Sequence, residues 1–174
     1  MHANLAYSTI PFKILTKQIY DAKIEADSYV LTLKNDLEKR YFVTFDVNKT
    51  IKYWIDSAAY DLETGKSLLE IKRFPYALFF GHLALEKALK ALVVKTTKEH
   101  APYTHSLILL AKMTKIELPE SIIDQLAEYM EFHIESRYPN EKKDFYYKCT
   151  EVFTREKFAE IEDIYTWLIQ KLET

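Results

Sequence analysis

His82, Glu86 and Lys90 follow one another at i, i+4 and i+8 inside the largely apolar stretch 74–95. That spacing puts an imidazole, a carboxylate and an ammonium on one stripe of a helix. Taken alone, the Glu86–Lys90 order is that of an exposed helix pair contributing about 0.2–0.5 kcal/mol. Phe79, Phe80 and Leu83 crowd His82, and a lone histidine among aromatics reads as a structural residue. No metal site is implied, because Glu86 alone shares helical spacing with His82. His100 and His105, five apart across a proline loop, are poorly spaced as ligands.

Arg137 is the second group whose charge needs an explanation. On a helix opening at Pro119, it falls about 60° from Ile122 and His133 about 20° from it, both on the apolar face. A buried unpaired guanidinium costs several kcal/mol, so Arg137 needs an ion-pair partner such as Asp61 or Glu86, or else it faces a ligand or a second subunit. A cleft gathering Arg137, Lys90 and His82 around Glu86 would carry net positive charge and could receive a phosphate or an acidic partner segment. His105 opens another helix, where the dipole disfavours its cationic form; it reads as neutral and capping. Cys149 is the sole cysteine, so no intrachain disulfide can form, a reducing compartment is the simplest expectation, and without a positioned base the thiol reads as inert. Paired-carboxylate, Ser-His-Asp and Gly-rich dinucleotide patterns are all missing.

The elements that must carry these residues are mostly helical. Trp54, Ala58, Asp61, Leu62, Gly65, Leu68 and Leu69 share one face of a helix near 50–72, with Asn48 or Thr50 as its cap. Pro75 suits the first turn of a helix over 74–98, whose broad apolar surface (Ala84, Leu85, Ala88, Leu89, Ala91, Leu92) makes it the centre of a bundle. Helices follow near 104–116, capped by Thr104, and near 119–137, ended at Tyr138-Pro139. A polar and aromatic loop over 140–153 leads to a last helix over 154–173, capped by Thr154, with Phe158, Ile161, Tyr165, Leu168 and Leu172 facing inward. Residues 1–49 differ: the β-rich runs 29–33 and 41–47 suggest a hairpin, preceded by a short helix within 12–27. The fold class is therefore all-α, an up-and-down helical bundle over 50–174 with a small N-terminal appendage, 1–49.

The 174 residues allow one well-packed domain plus that appendage, and 13 tyrosines against 2 glycines suit a helical protein rich in interface side chains. A formal net charge of −2 gives no overall pull toward nucleic acid or anionic membrane, so RNA contact would need a local patch. No basic leader followed by an apolar run and no eighteen-residue apolar segment appears, and the chain is expected to be soluble and cytoplasmic.

Four blocks, 53–62 (Tyr-Trp-Ile-Asp-Ser-Ala-Ala-Tyr-Asp-Leu), 76–92, 104–107 (Thr-His-Ser-Leu) and 135–139 (Glu-Ser-Arg-Tyr-Pro), occur in an order and spacing that resembles the prokaryotic HEPN domain family, the higher-eukaryote and prokaryote nucleotide-binding domain. The resemblance spans about 50–173. It implies a bundle that forms a homodimer and is encoded beside a minimal nucleotidyltransferase in a two-component, toxin–antitoxin-like module. Many relatives are metal-independent ribonucleases using Arg, four to six residues, then His. Here Tyr-Pro-Asn-Glu-Lys-Lys-Asp follows Arg137, so the motif lacks its histidine. What the resemblance implies is thus a binding subunit for a nucleotide or for the nucleotidyltransferase, without strong catalysis of its own, needing no cofactor, with Arg137, His82, Glu86, Lys90, His105 and Tyr138 as site residues. The alternative is a ribonuclease toxin acting on RNA through Arg137, with His82 or His105 supplying the proton-transfer group.

Overall fold

A computed structural model describes residues 23, 28–32, 45–135 and 143–173. The chain divides into two units, Met1–Thr44 and Phe45–Thr174. In the second, six helices run in order: α1 Val47–Glu70, α2 Phe74–Thr97, α3 Leu107–Met113, α4 Glu120–Glu135, α5 Lys143–Lys148 and α6 Glu151–Glu173. No strand occurs among the described residues, and none of their helices is long and apolar enough to cross a membrane.

α2 is the central helix, as its wide apolar surface requires. It packs along α1 and α6, with α3 and α4 against its remaining side, and 14 of its 24 residues are buried. Leu78, Leu85, Leu89 and Leu92 are sealed from solvent and meet Leu62 and Leu69 of α1, Leu107 and Leu110 of α3, Leu126 and Tyr129 of α4, and Phe158, Ile161 and Leu168 of α6 in one core. Each fully buried leucine contributes roughly 1.5–3 kcal/mol relative to exposure. Pro75 sits in the first turn of α2 as expected, and Lys98 ends the helix in the left-handed region at φ 61°, donating its backbone N–H to Val94 O.

Helix starts fall where an oxygen can take an orphan N–H. Asp46 caps α1 by accepting from Lys49 N at 2.9 Å, in place of the Asn48 or Thr50 expected, because its carboxylate sits three residues before that donor. Ser106, not Thr104, caps α3 through Leu109 N; Thr104 Oγ1 instead accepts from Ser106 N. Thr150 Oγ1 accepts from Phe153 N, so α6 begins before the expected cap Thr154, whose side chain is turned inward to Thr150 O and is fully buried. Part of the expected 140–153 loop is helical, since Phe145 packs into the core from α5.

The appendage departs from the hairpin expectation. Residues 28–32 are helical, with Thr32 Oγ1 donating back to Ser28 O four residues earlier. Val47, at the end of the second supposed strand, already belongs to α1. Residues 33–44, and the expected 12–27 helix apart from helical Lys23, lie outside the described residues.

Both glycines of the chain sit where α6 comes close. A Cβ on Gly65 would lie 2.7 Å from Phe158 Cε2 and 3.2 Å from Ala77 O, and one on Gly81 would lie 2.8 Å from Ile161 Cδ1. Ile161 Cδ1 ends a rotatable chain, whereas the Phe158 ring and the Ala77 carbonyl are fixed on both sides of Gly65. Gly65→Ala is therefore expected to cost more than it gains: overpacking takes about 1–3 kcal/mol against the roughly 1 kcal/mol helix preference of alanine. Thermal unfolding followed by circular dichroism should show Gly65→Ala melting a few degrees below wild type and below Gly81→Ala. An unchanged or higher melting temperature for Gly65→Ala would show that the α1–α6 approach is looser than described.

Candidate functional site

The His82/Glu86/Lys90 stripe is not solvated. It turns inward from α2, and His82, Glu86 and Lys90 are all buried. The exposed-pair expectation fails because the surface of α2 is covered on every side, by α1, α6, α3 and α4, so a stripe that is polar still ends up inside. Burial of this kind obliges each polar atom to find a partner.

Glu86 is the hub. Its Oε1 accepts from Lys90 Nζ at 2.8 Å, and its Oε2 accepts from His105 Nδ1 at 2.9 Å. His82 Nε2 lies 3.7 Å from the same Oε2. Burial pushes the Glu86 carboxyl up, but His82, Lys90 and His105 outweigh burial and hold it at about 2. The carboxylate is ionised, and Lys90 is the cation that neutralises it. Lys90 Nζ also stands 5.1 Å from the centroid of the Trp54 ring, within cation–π range.

His82 is fixed from its other side. Its Nδ1 is 2.9 Å from the backbone oxygen of Tyr129 on α4; a carbonyl only accepts, so Nδ1 carries a proton, and Nε2 is the nitrogen turned toward Glu86. His105 does not cap α3 as expected, since its Nδ1 is engaged by Glu86 and Ser106 performs the cap. His133 completes a run of rings: it stacks on His105 at 4.4 Å between centroids and 24° between planes, and its centroid is 5.0 Å from that of His82. Spacing alone placed His133 on the apolar face of its helix and left it out of the site. The signal available was that Tyr129 and His133, four apart, must face the same neighbour on α2.

Arg137 and Tyr138 lie outside the described residues. The two carboxylates expected as partners for Arg137 are held by lysines: Glu86 by Lys90, and Asp61 Oδ2 by Lys87 Nζ at 2.6 Å.

Beside the hub, Tyr53 and Trp54 of α1, Lys90 of α2, and His100, Pro102 and Tyr103 of the α2–α3 connection line a cleft of about 540 Å³. Tyr103 is fully exposed and Tyr53 mostly so, which leaves aromatic faces open around a single ammonium. Spacing could not reveal this cleft, because its members come from separate elements and most of them fall outside the polar stripe.

Removing the Glu86 carboxylate strands Lys90 in the interior. Glu86→Ala should destabilise by about 3–5 kcal/mol, the usual cost of breaking a buried pair, and Lys90→Met added to it should restore part of the loss. Urea unfolding of the four members of this double-mutant cycle measures the coupling. Additivity within about 0.5 kcal/mol would mean that the two groups do not depend on each other.

No curated protein matches the chain. Among solved structures, TT1696 from Thermus thermophilus is 19% identical over 70% of this chain and 97% of that one, with a TM-score of 0.60. ST0689, an archaeal HEPN homologue, is 22% identical over 70% of this chain and 97% of that one, with a TM-score of 0.56. At these identities the likeness is one of fold. The HEPN domain matches residues 51–172, the whole bundle from α1 through α6, and the chain therefore belongs to the HEPN domain family.

Proposed function

We propose that this HEPN-domain protein is the nucleotide-binding subunit of a two-component, toxin–antitoxin-like module whose other member is a minimal nucleotidyltransferase. The observation that carries the nucleotide half is the cleft of Tyr53, Trp54, Tyr103 and Lys90. Its volume falls in the range of small-molecule sites. Open aromatic faces suit base stacking, which contributes about 1–3 kcal/mol per base. Lys90 has three N–H donors and gives one to Glu86; its side chain is 10% exposed, so a phosphate reaches the others by drawing the ammonium away from the Trp54 ring. In this reading the nucleotide meets Lys90 directly, while Glu86 acts from behind by holding Lys90 in place.

The partner half rests on the family resemblance, as does assembly of the chain into a homodimer. Catalysis by the subunit itself is not proposed: the window after Arg137 lacks the histidine of the family's ribonuclease motif, and general acid–base cleavage needs a placed proton-transfer group.

Trp54 supplies the test. The chain has two tryptophans; in a Trp167→Phe background Trp54 is the sole reporter. Titration with ATP, UTP and AMP is expected to quench its emission saturably, and Lys90→Gln is expected to weaken binding at least ~10-fold, or about 1.4 kcal/mol. Unchanged emission up to millimolar nucleotide would sink the reading. Sedimentation velocity at micromolar concentration is expected to show a dimer, and co-expression with a nucleotidyltransferase encoded beside it is expected to give a complex that co-purifies. A monomer that retains no such partner would remove the two-component half.

A further inference from the structure

Three elements deliver metal-ligating side chains to one point: Glu86 from α2, His105 just before α3, and His133 from α4 each offer one ligand atom, all within 4.8 Å of one another. A second feature of the same place points to a cation. His82 is sealed from solvent, its Nδ1–H is spent on Tyr129 O, and among the described residues nothing donates to its Nε2. That nitrogen faces a carboxylate oxygen, Glu86 Oε2, across 3.7 Å. A nitrogen and a carboxylate oxygen turned toward each other in a dry interior, too far apart to bond directly, leave room for a positive centre between them.

A proton is one such centre, but it would make a charge-assisted hydrogen bond, and those run about 2.7–2.9 Å. The gap is wider. Ligand atoms around a tetrahedral zinc, at roughly 2.0–2.1 Å from the metal, sit roughly 3.3 Å apart. The separations from Oε2 to His105 Nδ1, 2.9 Å, and to His82 Nε2, 3.7 Å, bracket that value. His82 also has the posture of a metal-binding histidine, one nitrogen anchored on a backbone carbonyl and the other aimed into the site.

We infer that Glu86, His105 and His133, with His82 Nε2 on their buried side, form a binding site for a borderline divalent cation of the zinc class. Two or three imidazoles and one carboxylate suit Zn²⁺, Co²⁺ or Ni²⁺ rather than Mg²⁺ or Ca²⁺, which prefer all-oxygen shells. Lys90 occupies Oε1 and leaves Oε2 to the metal. The His105 side chain is 60% exposed, which gives the ion a way in. Where His105 binds through Nδ1, the proton now donated to Oε2 has to leave that nitrogen, and the exposed ring lets it pass to Nε2 or to solvent.

The full-length chain, stripped with chelator, is titrated with Co²⁺ alone and followed by visible absorption. One equivalent is expected to saturate an intense tetrahedral-type band, which Zn²⁺ then abolishes. His105→Ala, its folding checked against wild type by far-UV circular dichroism, should weaken binding at least ~10-fold, the lower end of what loss of even an outer partner costs. A His2→Ala/His100→Ala double variant, which removes the remaining two histidines, should bind as wild type. A spectrum that stays that of the aqueous ion, or His105→Ala binding as tightly as wild type, would overturn the site. Because the probe is the metal alone, its outcome is separate from nucleotide binding in the Trp54 cleft.

Discussion

A single buried carboxylate organises the interior of this bundle. Glu86 sits on the helix that every other long helix packs against, and its charge in a low-dielectric site demands compensation from several directions at once. Lys90 answers from one turn further along α2 and His105 from the α2–α3 connection. His82, one turn earlier, is drawn into the same cluster and tied to α4 through Tyr129 O. Charge satisfaction therefore cross-links α2 to α4 and to the segment that opens α3. Such a network contributes less to net stability than apolar packing of equal volume would, but it is specific about which atoms meet. That specificity is what a site requires.

The bundle itself was legible because its signals are local and strong. The apolar breadth of 84–92, Pro75 in the first turn, and the periodic run from Phe158 to Leu172 each predict a helix; the structure buries Phe158, Ile161 and Leu168 as expected, adds Ile164, and leaves Tyr165 and Leu172 only partly covered. Caps were less legible, since Asp46, Ser106 and Thr150 compete with equally suitable neighbours at Asn48, Thr104 and Thr154, and the choice turns on tertiary position. The run 29–33 misled for a related reason: β-preference reports fit to a pleated, half-buried surface, and residues 28–32 are helical with exposed side chains.

The site was half visible. Spacing identified the stripe of His82, Glu86 and Lys90 as needing an explanation but left the Glu86–Lys90 pair open between solvent and a cleft with Arg137, because i,i+4 geometry is the same whether a stripe faces water or another helix. His105 and His133 join that stripe only through tertiary packing, from the far side of the α2–α3 connection and from α4. The aromatic cleft is tertiary too. Tyr53 and Trp54 meet Tyr103 there because α1 lies along α2 and the connection after Lys98 folds back over the same edge. Periodicity describes the faces of one helix at a time, and both halves of this site are built between helices.

Lys90 stands at the junction of those halves. Its ammonium contacts Glu86 on the inner side and Trp54 on the outer, so any ligand that engages it from the cleft draws on the same charge that neutralises the carboxylate. A phosphate pulling Lys90 outward leaves Glu86 with less positive charge nearby, which favours another cation at Oε2; a cation at Oε2 in turn loosens the hold of Glu86 on Lys90 and leaves it freer to meet the phosphate. Linkage makes the two effects equal in size. Because the side chains of Lys90 and Glu86 are both at least nine-tenths buried, solvent screens their interaction weakly, and the coupling follows from the burial of α2 at the centre of the bundle: the packing that hides the stripe is also what makes its charges respond to one another.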